Sequence, residues 1–204
     1  MYLYPVWVRL WHLLNAILIV ILIVTGAVMQ YAGSENPLLM AAFADASRWH
    51  NIAAIVLTIS YLGFVIGNAV SGNGKYYRIN ERNLFSDMGK QLKYFLWGIF
   101  RHEKQPFPVT VDNKFNPLQK VTYLLIMYFA LPLLIISGLV LMIPDMTLIK
   151  LFGQGTYIVI DVLHIILGLL ISLFLVIHIY SCTVGPKPTS LFRGIITGFY
   201  GGDE

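Results

Sequence analysis

Residues 161–178 read DVLHIILGLLISLFLVIH, an apolar run with one acid at its head and two histidines, His164 and His178, fourteen residues apart. An α-helix turns about 100° and climbs about 1.5 Å per residue, so that step ends roughly 40° short of four turns and about 21 Å further on. Two imidazoles therefore share one face of one helix at two depths. The apolar stretch extends over residues 156–181, more than the roughly 20 residues that a bilayer crossing needs.

Three further segments meet the same length test: residues 8–30, 50–70 and 121–143. The 204-residue chain is 57% hydrophobic and 12% charged, with a mean hydropathy of +0.72, far from the balance of a soluble domain. The expected fold is all-α, an integral membrane four-helix bundle forming a single domain over residues 1–204. The first span lacks a basic leader and a convincing cleavage site, so it reads as a retained helix rather than a signal peptide. A single cysteine, Cys182, excludes an intrachain disulfide, an iron–sulfur site built by this chain alone, and C-x-x-C-H haem attachment.

Lysine and arginine set the orientation. The loop at 71–120 holds Lys75, Arg78, Arg82, Lys90, Lys93, Arg101, Lys104, Lys114 and Lys120, and Arg9, Lys187 and Arg193 lie by the termini. Only Arg48 and Lys150 fall to the other side. The positive-inside rule then places both termini and the long loop in the cytoplasm and the short loops, 31–49 and 144–155, outside. The net charge of +4 reflects topology, and the partner it implies is the lipid bilayer, not nucleic acid.

Within the long loop Phe85, Met88, Leu92, Phe95, Leu96 and Ile99 recur at helical spacing. They predict an interfacial helix on the inner leaflet, or equally a helix packed on the bundle or a partner. Gly72, Asn73 and Gly74 mark the turn before it, and Pro106 and Pro108 break the chain after it. Pro132 should kink the third span.

On this topology His12 enters the first helix from inside and His178 lies near the inner end of the fourth, whereas His50 begins the second from outside, near the level of His164. Depth pairs His12 with His178 and His50 with His164. Haem iron takes axial ligands on opposite porphyrin faces, so one imidazole from each of two facing helices forms a cage for a non-covalent, bis-histidine haem b. Two such cages would stack across the membrane. The alternative for any one histidine is an interhelical hydrogen bond. Zinc prefers a compact tetrahedral cluster, and these histidines divide into two distant pairs. His102, beside Arg101 and Glu103, reads as solvated.

Gly26, Gly63, Gly138 and Gly168 remove bulk inside the helices, either for a macrocycle or for close helix packing. Arg9 and Arg48 lie near His12 and His50, where they suit haem propionates or lipid headgroups alike. Asp161 reads as a cap on the positive end of the fourth helix. No nucleophile–base pair or carboxylate dyad argues for hydrolysis.

Arg9-Leu-Trp-His12, Trp49-His50, Lys114-Phe-Asn-Pro-Leu-Gln-Lys120, and His164 with His178 together give a chain that resembles the bacterial di-haem cytochrome b family. That family includes the gamma subunit of membrane formate dehydrogenase and the cytochrome b subunits of nickel–iron hydrogenases and thiosulfate reductases. The resemblance covers the whole chain. It implies a multi-pass subunit of the bacterial inner membrane that carries electrons between a periplasmic redox or catalytic subunit, iron–sulfur or multihaem, and membrane quinone, menaquinone or ubiquinone.

The resemblance also implies an outer haem between His50 and His164 and an inner haem between His12 and His178. In the formate dehydrogenase branch the quinone site uses the polar stretch before the third span, which makes Asn116 and then Gln119 the candidate quinone contacts. Leu118 stands where that branch has a glycine. From the residues alone, Asn116 is a helix N-cap before Pro117.

The expected role is that of an electron-transfer subunit of a respiratory oxidoreductase, more than a complete enzyme. A stand-alone di-haem quinone reductase oxidising a small donor such as superoxide is one rival. A haem-free membrane anchor or assembly factor is the other.

Overall fold

A computed structural model describes residues 1–79, 83–110, 113–143, 155–184 and 189–200. Lys150, Arg82 and Lys187 lie outside the described residues. Among those described, four helices are long and apolar enough to cross a membrane: α1 (Val6–Tyr31), α2 (Pro37–Ser71), α4 (Pro117–Met142) and α5 (Gly155–Thr183). Between α2 and α4 lies the short α3 (Leu84–Lys93), and α6 (Ser190–Thr197) follows α5.

The second span begins well before His50. Pro37 occupies the first turn of α2, where its missing N–H costs nothing, and Ala41, Ala42, Ala44 and Ala46 carry the helix onward because alanine loses least on becoming helical. Most of the expected loop at 31–49 is thus helix, and His50 lies inside α2 rather than at its start. At the other end Gly72 adopts φ +69°, the left-handed conformation that stops a helix and suits glycine.

Pro132 affects α4 as expected, but through a wide turn rather than a simple kink. Residues Ile126–Ala130 form a π turn in which the Leu131 N–H reaches back to the Ile126 carbonyl. In that register Met127 would bond residue 132, a proline with no N–H to give. The Tyr61 hydroxyl of α2 donates to the Met127 carbonyl instead, at 2.9 Å.

The spans form two antiparallel hairpins, α1 with α2 and α4 with α5. They meet through Leu18, Ala53, Leu57 and Leu131, and through Ile126, Ala130, Leu167 and Ile171, onto which Ile19 of α1 also packs. Lipid tails are as apolar as leucine, so close packing and interhelical hydrogen bonds of about 0.6–2 kcal/mol each hold such a bundle. Asn15 of α1 donates to Ser60 Oγ of α2 at 2.8 Å, and Trp11 Nε1 donates to the Ser60 carbonyl at 3.2 Å. Trp11 also stacks on Phe64 at 4.1 Å.

The termini close one end together. The Met1 ammonium donates to the Tyr200 carbonyl at 3.0 Å. Arg9 donates through Nε to the Ile195 carbonyl at 3.2 Å and through Nη2 to that of Ile196, covering the exposed carbonyls at the end of α6. The loop helix α3 packs near the start of α4. It and the residues after it leave Phe85, Leu92, Leu96, Trp97 and Phe100 exposed.

Candidate functional site

The histidines come together in two levels. His12 of α1 faces His178 of α5 with ring centroids 6.2 Å apart, and His50 of α2 faces His164 of α5 at 6.3 Å. The offset that separates the two histidines on α5 also separates His12 from Gly26 on α1. Gly26 lies beside His50, where an added Cβ would meet Cε1 of that ring at 3.4 Å. Each level is therefore fixed independently on two helices.

Hydroxyl groups orient the far-side pair. Thr25 Oγ1 donates to the Ile21 carbonyl at 2.7 Å and lies 2.9 Å from His50 Nδ1. Ser137 Oγ donates to the Leu134 carbonyl at 3.0 Å and lies 2.9 Å from His164 Nδ1. Each hydroxyl proton is already committed to a backbone carbonyl, so each oxygen accepts from its imidazole Nδ1–H. The lone pair then rests on Nε2, the tautomer a metal-ligating imidazole needs.

The termini-side pair is set differently. The Tyr123 hydroxyl lies 3.3 Å from His178 Nδ1, and the His178 ring stacks on Phe174 at 5.5 Å. Tyr123 continues into an aromatic chain through Phe115 at 5.0 Å, then Tyr77 at 5.6 Å. Tyr77 contacts Phe64, the residue on which Trp11 stacks.

The residues present fit haem. Imidazoles that face each other with centroids 6.2 and 6.3 Å apart would hold one metal atom between them at each level. Gly138 is tight against His164, with an added Cβ 3.0 Å from Cε1, whereas Gly63 and Gly168 face open space. Among the described residues no three His, Cys, Asp or Glu side chains converge on one point, so the donors come in facing twos. That is the set a porphyrin iron uses, its other four ligands being the macrocycle's own.

The other expected site residues fall as follows. Arg48 is exposed on α2 two residues before His50, while the Arg9 guanidinium is bonded to the end of α6. Asn116 and Gln119 form a reciprocal capping box, in which Asn116 Oδ1 accepts from the Gln119 N–H at 2.8 Å and Gln119 Oε1 accepts from the Asn116 N–H at 3.2 Å. Asp161 is exposed one turn before His164, and His102 is exposed with φ +53°.

Sequence reading missed Thr25, Ser137 and Tyr123. A signal was present for two of them: Tyr123 and Ser137 are spaced by the same fourteen residues as His164 and His178.

The family model described as prokaryotic cytochrome b561 matches residues 3–198. A protein of Escherichia coli (strain K12) named "Putative cytochrome YdhU" is 36% identical over 201 residues, covering 98% of this chain and 74% of that protein. No solved structure matches the chain significantly.

Proposed function

The chain belongs to the prokaryotic cytochrome b561 family, membrane b-type cytochromes of electron transfer, and from that premise we propose that it is the di-haem anchor subunit of a respiratory oxidoreductase. It carries electrons across the bilayer between a periplasmic redox or catalytic partner, iron–sulfur or multihaem, and the quinone pool. The observation that carries this reading is the pair of facing imidazoles at two levels, 6.2 and 6.3 Å between ring centroids.

In this reading His50 and His164 hold one haem b, and His12 and His178 the other. The haem supplies one-electron redox chemistry when bound. The chain supplies ligands, orientation and dryness. Thr25 and Ser137 hold the far-side rings, Phe174 and Tyr123 hold His178, and Ile19, Leu167 and Ile171 keep the interval between the levels apolar.

The charge distribution supports an inner-membrane orientation with both termini cytoplasmic, which puts the His12 level near the quinone. Asn116 is the first candidate to hydrogen-bond a quinone carbonyl through its amide N–H, and Gln119 the second. Their backbone-directed oxygens are used in the capping box, so the carboxamide N–H groups are the ones available to a ligand. Reduction of menaquinone or ubiquinone to the quinol takes two electrons and two protons, the protons from the cytoplasmic side. Arg48 is the better placed of the two arginines for a propionate, because Arg9 is bonded to α6.

Haem counting on the purified chain tests the proposal. The wild type should carry two haems b, and His164→Ala should carry one with the remaining b-type spectrum intact. An unchanged spectrum in that variant would remove His164 from the ligand set and the two-level reading with it.

A further inference from the structure

At the end of α2 that lies beside the termini is a recess of about 550 Å³, lined by Val65, Asn68, Ala69, Gly72, Gly74, Lys75, Arg78 and Tyr128. It is separate from both histidine pairs. The left-handed Gly72 ends α2, and a tight 3-10 turn over Asn73–Tyr77 follows it, with Lys75 and Arg78 in the recess wall. Gly74 passes close enough to α2 that a Cβ there would lie 3.3 Å from the Asn68 carbonyl oxygen.

The wall of this recess is internally bonded. Asn73 donates to Asn68 Oδ1 at 2.8 Å, and Asn68 donates to the Tyr128 hydroxyl at 3.1 Å. Asn68 itself is buried. Those polar groups are occupied with one another, whereas the two cations are exposed at the rim and none of the eight lining residues is acidic. Positive charge is in excess locally: the Lys75 and Lys114 ammonium groups lie over the same Tyr76 ring, 5.0 and 4.0 Å from its centroid. Val65 and Ala69, one helical turn apart, give the recess an apolar floor that runs down the span.

A cationic rim over an apolar floor, at the level where a transmembrane helix leaves the bilayer, has the polarity of one ligand class. We propose that the recess binds the phosphate group of an anionic phospholipid, with Lys75 and Arg78 on the headgroup and an acyl chain along Val65 and Ala69. A neutral quinone ring would leave both cations without a counter-charge, and free phosphate would leave the apolar floor unused. Each basic residue near an anionic headgroup contributes enough that removing both should weaken binding about thirtyfold.

The test uses the full haem-loaded chain in detergent, titrated with phosphatidylglycerol or phosphatidylcholine and read by native mass spectrometry and by melting temperature. Wild type should retain phosphatidylglycerol over phosphatidylcholine and melt higher with it. Lys75→Gln/Arg78→Gln should lose the preference with its haem spectrum unchanged. Ala69→Phe, which fills the floor and leaves the charges, should lose the lipid too, and it serves if the double variant fails to fold. Equal retention of the two lipids by wild type, or an undiminished preference in both variants, overturns the proposal. So does stabilisation by inorganic phosphate or by a short-chain quinone with no dependence on lipid.

Discussion

The two histidine levels have nearly the same ring separation and reach it by different means. At the far side both imidazoles donate to hydroxyl oxygens at 2.9 Å, and each ring abuts a glycine, Gly26 or Gly138. At the termini side His178 is stacked on Phe174 and has one longer contact, 3.3 Å, to a tyrosine hydroxyl. Among the described residues none hydrogen-bonds the His12 ring. One level is held by directional bonds and by the absence of side chains, the other by aromatic packing. The far-side rings are therefore committed to a tautomer and an orientation, while the His178 ring is held by packing without its proton being assigned.

The greatest expected effect comes from removing the space at the far side. Gly138→Leu places a branched side chain where even a Cβ already lies 3.0 Å from His164 Cε1, and the ring has to swing away from His50. On the two-haem proposal such a variant should lose about half of the b-type absorbance and keep the termini-side signal. Gly26→Leu acts in the same direction with a milder loss, because its contact with His50 starts from 3.4 Å. Equal loss from both levels would mean that the glycines serve helix packing across the whole bundle, and the contrast between levels would be wrong.

A smaller effect tests the hydrogen bonds. An imidazole whose Nδ1–H is donated to an oxygen is a better electron donor to its metal, which favours the oxidised iron. Thr25→Val or Ser137→Ala should raise the far-side potential by on the order of 20–40 mV, the fraction of one hydrogen bond that differs between oxidation states. A redox titration reads both proposed haems at once, so the termini-side potential is the internal control. A shift confined to that other haem would reverse the assignment of levels to spectra.

Much of this architecture was legible in the sequence because bilayer crossing imposes a length and an apolar composition that few other demands imitate. The fourteen-residue step on the last span carried the depth pairing with it. The start of α2 was not legible by that criterion: Asp45 and Arg48 ended the apolar window, yet alanine-rich helix continues through them to Pro37. Arg9 has the composition of a propionate partner, but its reach to the Ile195 and Ile196 carbonyls depends on where α6 folds back, a long-range fact no local pattern contains. Thr25 and Ser137 were obscured for a different reason. A hydroxyl in an apolar span ordinarily bonds its own helix, and these two do so while also receiving an imidazole proton.

Tyr123 gives the smallest expected effect and the finest discrimination. Its hydroxyl lies 3.3 Å from His178 Nδ1, longer than the far-side contacts, and an interaction that long is weak. Tyr123→Phe keeps the ring, and with it the edge contacts to Phe115 and Phe174, so packing is preserved while the oxygen goes. If aromatic packing holds the termini-side level, the variant should retain both proposed haems and move the termini-side potential by less than about 20 mV, below the far-side shift because the lost bond is weaker. A shift as large as that of Ser137→Ala would show that the hydroxyl governs His178 as Ser137 governs His164. The two levels would then differ in residue type and not in principle.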